Sequence, residues 1–212
     1  MFRIRLEGFN PTSAFHDAVR DACADVERLS ALAQQVTRPR TRQSLADWFE
    51  NADDGEIWAN IGRLDRVIRD SSRTVTFVNG VGKVIRVDYN PHNIAQPPTL
   101  PAVEPTVADM DGTAAWVYPT MTRAGTGSRH ITDATPLAHT GSGMRLYLGY
   151  ATVMAAHIDH DELVQTIYHE LSHKVIGTND HVYGYNESKA LPLHQKKRNA
   201  DNYGYFLLEV DD

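Results

Sequence analysis

Cysteine is almost absent from this 212-residue chain: Cys23 stands alone, so no intrachain disulfide forms and thiolates cannot build a multi-ligand metal site. Long hydrophobic runs are missing too, and nothing approaches the ~20 apolar residues that a bilayer-spanning helix needs. The N-terminus, Met1 to Glu7, lacks the apolar core of a signal peptide and alternates apolar with polar residues, which predicts a strand. Compartment is left open: the reducing cytosol is permitted, and so is export by a route that needs no cleaved leader. Positive charge is also in short supply, with 21 Lys+Arg against 27 Asp+Glu and a formal net charge of -6. That balance excludes nucleic acid as the main partner, because a phosphate backbone needs a positive field.

What is present suffices for a folded unit. Hydrophobic residues make up 42% of the chain, enough to bury a core, and charged residues 23%. Phe15, Val19, Ala22, Val26, Leu29, Ala33 and Val36 recur at helical spacing behind Thr12 or Ser13 as N-cap. A second helix is predicted over about 42–51, and a third around Ile57, Ile61, Leu64 and Ile68. From residue 73 the period shortens. Thr74 to Val78 and Lys83 to Tyr89 read as strands around Asn79-Gly80, a hairpin pattern. Residues 90–112 hold five of the ten prolines and read as loop; Ala114 to Tyr118 and Met144 to Tyr150 are further strands, with a glycine-rich loop between them. The expectation is an α+β chain with a small antiparallel sheet, read as one unit over 1–212: a mainly helical part over 1–72, then the sheet and site helices over 73–212.

The strongest helix signal covers 159–176. Asp159 caps it, with Glu162 three residues on as a capping box; Leu163, Val164, Ile167, Tyr168 and Leu171 form its apolar stripe, and Gly177 ends it. Within it stands His169-Glu170-Leu171-Ser172-His173, the pattern HExxH. Residues four apart share a helical face, so both imidazoles reach one ion, and Glu170 beside them suits a general base acting on a water held by that ion. Zinc bound by three protein ligands keeps a fourth position for water and lowers its pKa to about 7.

The third ligand is less direct. Gly177 lies four positions past His173 and His181 eight, which does not fit the HExxHxxGxxH spacing of metzincins. Glu187 would be the thermolysin-like choice, but fourteen residues leave little room for another helix. Asp180 fits better, because a turn at Gly177-Thr178-Asn179 brings a short carboxylate back to the site; His181 is its neighbouring rival.

Gly177 to Gly184 matches the GTxDxxYG motif, and Asn199-Ala200-Asp201-Asn202-Tyr203-Gly204-Tyr205-Phe206 matches an NAD-x-x-x-Y-F segment. With these motifs, over about 114–209, the chain resembles the aspzincins, the deuterolysin and peptidyl-lysine metalloendopeptidase family. The resemblance implies a zincin-like catalytic domain with one catalytic Zn2+ held by His169, His173 and Asp180. It implies Glu170 as base, Tyr183 as oxyanion donor, and a protein or peptide substrate. It further implies that Asp201 lines the pocket for a lysine after the cut. Lysine-specific members carry a second acid three positions later, where this chain has Gly204, so half of that acidic pocket is missing.

Other residues divide between roles. Met144 to Tyr150 reads either as an edge strand that binds extended substrate or as an ordinary sheet strand. Lys196-Lys197-Arg198 reads as a solvated helix face rather than a recognition patch, and His157 and His160 as surface histidines rather than a second metal site. Two alternatives keep the same metal site: a metal-binding module that cleaves nothing, and a toxin or effector peptidase with a narrow protein target and a matching inhibitor or immunity protein.

Overall fold

Helix α1 (Ala14–Ala33) begins where Ser13, in extended conformation, accepts the N–H of His16, and it buries Phe15, Val19, Ala22, Cys23, Val26, Leu29 and Ala33 along one face. The structure is a computed structural model that describes residues 2–79, 115–117, 144–148 and 159–211. Strand β1 (Ile4–Glu7) precedes α1, as the alternating N-terminus predicts. Helix α2 (Pro39–Phe49) starts three residues earlier than the apolar pattern suggests, because Pro39 at its first turn has a backbone already set for a helix. It stops at Glu50, which adopts a left-handed conformation (φ 60°). Asp54 caps α3 (Gly55–Arg69), accepting the N–H groups of Glu56 and Ile57.

Strand β2 (Val75–Asn79), β3 (Ala115–Val117) and β4 (Met144–Leu148) complete a four-stranded sheet in the order β1-β2-β4-β3. The expected antiparallel sheet is not what forms. β1, β2 and β4 run parallel, and β3 alone pairs antiparallel, on β4. The reason lies in the connection: β1 returns to β2 through three helices, and such a crossover re-enters the sheet in the same direction. Val75, Thr76, Phe77 and Val78 are all buried, as expected of a parallel strand covered on both faces. Lys83 to Tyr89, the proposed hairpin partner of β2, lies outside the described residues, as do the proline-rich and glycine-rich stretches.

Helix α4 (His160–Ile176) follows, then α5 (Tyr185–Ala190), α6 (Leu193–Lys196) and α7 (Ala200–Leu208). α4 is the central helix. It packs most extensively on α7, then on α1 and α3, so the N-terminal helices form the bed on which the HExxH segment lies. Its stripe of Leu163, Val164, Ile167, Tyr168 and Leu171 joins one hydrophobic cluster that runs from Phe2 to Val210. Among the described residues no helix is long and apolar enough to cross a membrane.

Candidate metal centre

The face of α4 opposite the apolar stripe is buried yet polar: Gln165, Thr166, His169, Glu170 and Ser172 are all inside. Buried polar groups need partners, and these find them in a pattern that aims two imidazoles. The Nδ1–H of His169 donates to Asp201 Oδ1 at 2.6 Å, and that of His173 donates to the Thr178 carbonyl at 2.9 Å. With both Nδ1 positions acting as donors, each ring turns a bare Nε2 inward. The two Nε2 atoms stand 3.0 Å apart, and Asp180 Oδ1 is 3.1 Å from each.

Asp180 reaches this position through two devices. Gly177 ends α4 in the left-handed region (φ 73°, ψ 37°), its N–H bonded to the Ser172 carbonyl, and so turns the chain back. Asn179 then forms a parallel bridge to Asn199, with its N–H on the Arg198 carbonyl (2.7 Å) and its carbonyl receiving the Ala200 N–H (3.0 Å). Asn199 itself is fully buried. Its Oδ1 accepts the N–H groups of His181 (2.9 Å) and Val182 (3.3 Å), and its amide donates to Ser188 and Asn202. Sequence reading assigned no part to Asn199, Thr178 or Gln165. Only Gln165 carried a usable signal, since it lies four residues before His169 on the same helical face.

Three bare acceptors converging on one point repel one another unless a cation lies between them. Ligand atoms about 2.0–2.1 Å from one tetrahedral zinc stand roughly 3.3 Å apart, close to the 3.0–3.1 Å found here. The donor set, two imidazoles and a carboxylate, is one that zinc accepts. Electrostatics agree. Burial works to lower the pKa of His169, but hydrogen bonds to Asp180 and Asp201 with nearby Glu170 outweigh it and push it up to about 10. His173 moves upward for similar reasons, with Asp180 again opposing burial. The same carboxylates place negative charge around the point that the imidazoles share, which favours a divalent cation there once the rings are neutral.

Glu170 is near the triangle without belonging to it, its Oε1 3.9 Å from His169 Nε2. His169, Glu170 and His173 form a potential metal-binding group among the described residues. Burial raises the Glu170 pKa, partly opposed by His169 and His173. For Asp180, burial is overcome by hydrogen bonds from His169 and His173, which hold its carboxyl well below the usual range. Tyr183 is 66% exposed at the mouth, its ring nearly parallel to that of His169 (16°, centroids 6.2 Å apart). Partial burial of the phenol and the negative charge of Asp180 keep its hydroxyl protonated.

Other residues are placed differently from expectation. Asp201 is buried, and both oxygens are engaged inside the protein: Oδ1 with His169 and with Gln165 Nε2 (2.9 Å), Oδ2 with the Gly184 N–H (2.7 Å). Lys196 and Lys197 are not a solvated face. Lys196 is buried and pairs with Glu50 at 2.7 Å, and Lys197 bonds Asp54 at 2.6 Å and Glu56 at 3.2 Å. Lys196 thus ties the segment before α7 to the end of α2 and Lys197 ties it to the start of α3, where the acids balance the charge. β4 is an interior strand, flanked by β2 and β3, which fits the ordinary sheet strand of the two readings and not the substrate-binding edge. Glu187 lies in the first turn of α5, outside the triangle. His160 pairs with Asp25 at 2.7 Å, and His157 lies outside the described residues.

The sequence pattern of a family described as lysine-specific metallo-endopeptidase, the aspzincins, matches residues 142–208. A comparison with curated proteins gives no match. Among solved structures, a zinc peptidase from Grifola frondosa is similar in fold, with a TM-score of 0.50 and 20% identity, over 90% of this chain and 89% of that one. The matched segment contains the convergent histidines, Glu170, the Asp180 turn and the Asp201 helix. Residues 142–208 of this chain therefore match the aspzincin family pattern, and its fold is similar to that of a zinc peptidase.

Proposed function

We propose that this chain is a zinc endopeptidase of the aspzincin type acting on protein or peptide substrates, which holds one catalytic zinc ion with His169, His173 and Asp180, with Glu170 as general base and Tyr183 as oxyanion donor. The observation that carries the reading is the convergence of three acceptor atoms, 3.0–3.1 Å apart, beside a buried carboxyl. Bound there, zinc supplies Lewis-acid polarisation of a carbonyl and lowers the pKa of a water to about 7. Glu170 takes a proton from the attacking water onto its carboxylate and later delivers it to the leaving nitrogen. Its raised pKa brings it closer to the range where one group serves well as both base and acid. Tyr183 donates its O–H to the substrate oxygen as charge develops there.

An extended substrate would lie along β3, the outer strand of the sheet among the described residues, which packs against α4. Cleavage before lysine, which the resemblance implies, would depend on Asp201. Its oxygens are taken up by three internal donors, so we do not extend the reading to a lysine pocket.

A casein digest tests the reaction class. Chelation is expected to abolish cleavage and one equivalent of zinc to restore it. Glu170→Gln is expected to bind that zinc and to lose about 10²–10⁴-fold in rate, because the geometry survives and the base does not. Wild-type cleavage by the Gln variant would refute the role of Glu170.

A further inference from the structure

Asp201 stands in the first turn of α7, 4% exposed, where its carboxylate gathers donors from three separate segments. From α4 come the His169 Nδ1–H and the Gln165 amide; from the loop after Asp180 comes the backbone N–H of Gly184. Each contact does something different. The bond to His169 fixes that ring's tautomer and points its Nε2 at the point shared with His173 and Asp180. The bond to Gly184 holds the peptide immediately after Tyr183, and so holds Tyr183 at the mouth of the site. Gly184 itself has φ 98°, a positive value that favours glycine, and this turn presents its N–H to Asp201.

The Gln165 contact bears on substrate choice. Gln165 fills the space beside Gly204, and its amide occupies Oδ1 of Asp201 together with His169. A substrate ammonium would have to displace buried hydrogen bonds to reach this carboxylate. Charge-assisted contacts of this kind are among the strongest in a protein, and breaking them would also release a metal ligand.

We propose that Asp201 is a positioning residue, which couples the orientation of His169 to the placement of Tyr183 and does not read the residue after the cut. The proposal rests on the zinc-endopeptidase reading above. It extends that reading to substrate class: selection at the position after the cut does not depend on a lysine charge paired with Asp201.

The experiment uses the zinc-loaded full chain, with Asp201→Asn as an isosteric variant and Gln165→Ala beside it. Zinc affinity is measured by competition with a chelator, the visible spectrum is recorded after cobalt(II) replaces zinc, and kcat and KM are measured on two peptides that differ only by Lys or Ala after the cut. For Asp201→Asn we expect zinc affinity to fall by about 10- to 100-fold, an altered cobalt spectrum, and a lower kcat. The Lys-to-Ala ratio of kcat/KM should stay within about twofold of wild type. Gln165→Ala keeps the bonds to His169 and Gly184, so its zinc affinity should stay close to wild type. A roughly tenfold collapse of the Lys-to-Ala ratio in Asp201→Asn overturns the proposal whatever happens to zinc. Unchanged zinc affinity and cobalt spectrum in that variant overturn it too. If wild type takes up zinc but cuts neither peptide, the endopeptidase reading falls, and the affinity and spectrum still decide whether Asp201 positions His169.

Discussion

Gly204 in α7 lies so close to Gln165 in α4 that a Cβ on the glycine would stand 2.9 Å from the Gln165 side chain and 3.0 Å from its carbonyl oxygen. The side chain has some freedom to yield, but the backbone oxygen of a buried helix has little. The missing Cβ is what lets α7 approach α4 closely enough for Asp201 to reach His169. Gly204→Ala is therefore expected to destabilise the fold by about 1–3 kcal/mol through overpacking, more than offsetting the ~1 kcal/mol that alanine contributes by helix propensity. Urea unfolding measures this. A variant at least as stable as wild type would mean that the two helices separate freely and that the close approach is unimportant.

Tyr183 is exposed and packs only lightly, so its hydroxyl can be removed without disturbing the fold. Tyr183→Phe should lower kcat by about 10²–10³ if the phenol stabilises developing charge, with KM, zinc content and melting temperature near wild type. A kcat within about twofold of wild type would remove Tyr183 from the mechanism.

Asn199 holds the turn that carries Asp180. Asn199→Ala leaves the part-buried N–H groups of His181 and Val182 without their acceptor, which should cost about 1–3 kcal/mol in all. Zinc affinity should fall with stability, because the third ligand is no longer pinned. Chelator competition and urea unfolding together check this, and a loss of stability with zinc affinity intact would separate the turn from the site.

Asp54 caps α3 and accepts from Lys197, whose hydrogen bond is the main cause that lowers the Asp54 pKa. A carboxylate with a depressed folded pKa contributes stability that is present above its unfolded pKa, near 3.9, and is lost as pH falls through the lower folded value. Asp54→Ala should cost about 1 kcal/mol at neutral pH as a lost cap. The difference from wild type should shrink below pH ~4. Urea titrations of the zinc-free proteins at neutral and acid pH would show it; a constant difference across that range would mean that the charge of Asp54 contributes nothing.

Much of the site was legible because its signals are local. His169 and His173 share a face through helical periodicity alone, and Gly177 ends the helix because a left-handed residue there favours glycine. The motif resemblance pointed to Asp180 and Tyr183, and the fold brings Asp180 Oδ1 to the two histidines. The N-terminal helices, too, follow their apolar spacing to within a few residues.

Three features were decided by tertiary structure. Whether strands run parallel depends on the path between them, and the crossover from β1 to β2 through three helices carries no marker in the strands themselves. Whether a lysine pair is solvated depends on what lies opposite, and Glu50, Asp54 and Glu56 are about 140 residues away in sequence from Lys196 and Lys197. The part played by Asp201 was hidden for the same reason. Cysteine scarcity and the HExxH spacing were enough to limit the chain to a histidine- and carboxylate-based metal site. The turn at Gly177 and the packing of α7 on α4 determine which carboxylate, that of Asp180, faces the two Nε2 atoms, and which one, that of Asp201, meets His169 Nδ1.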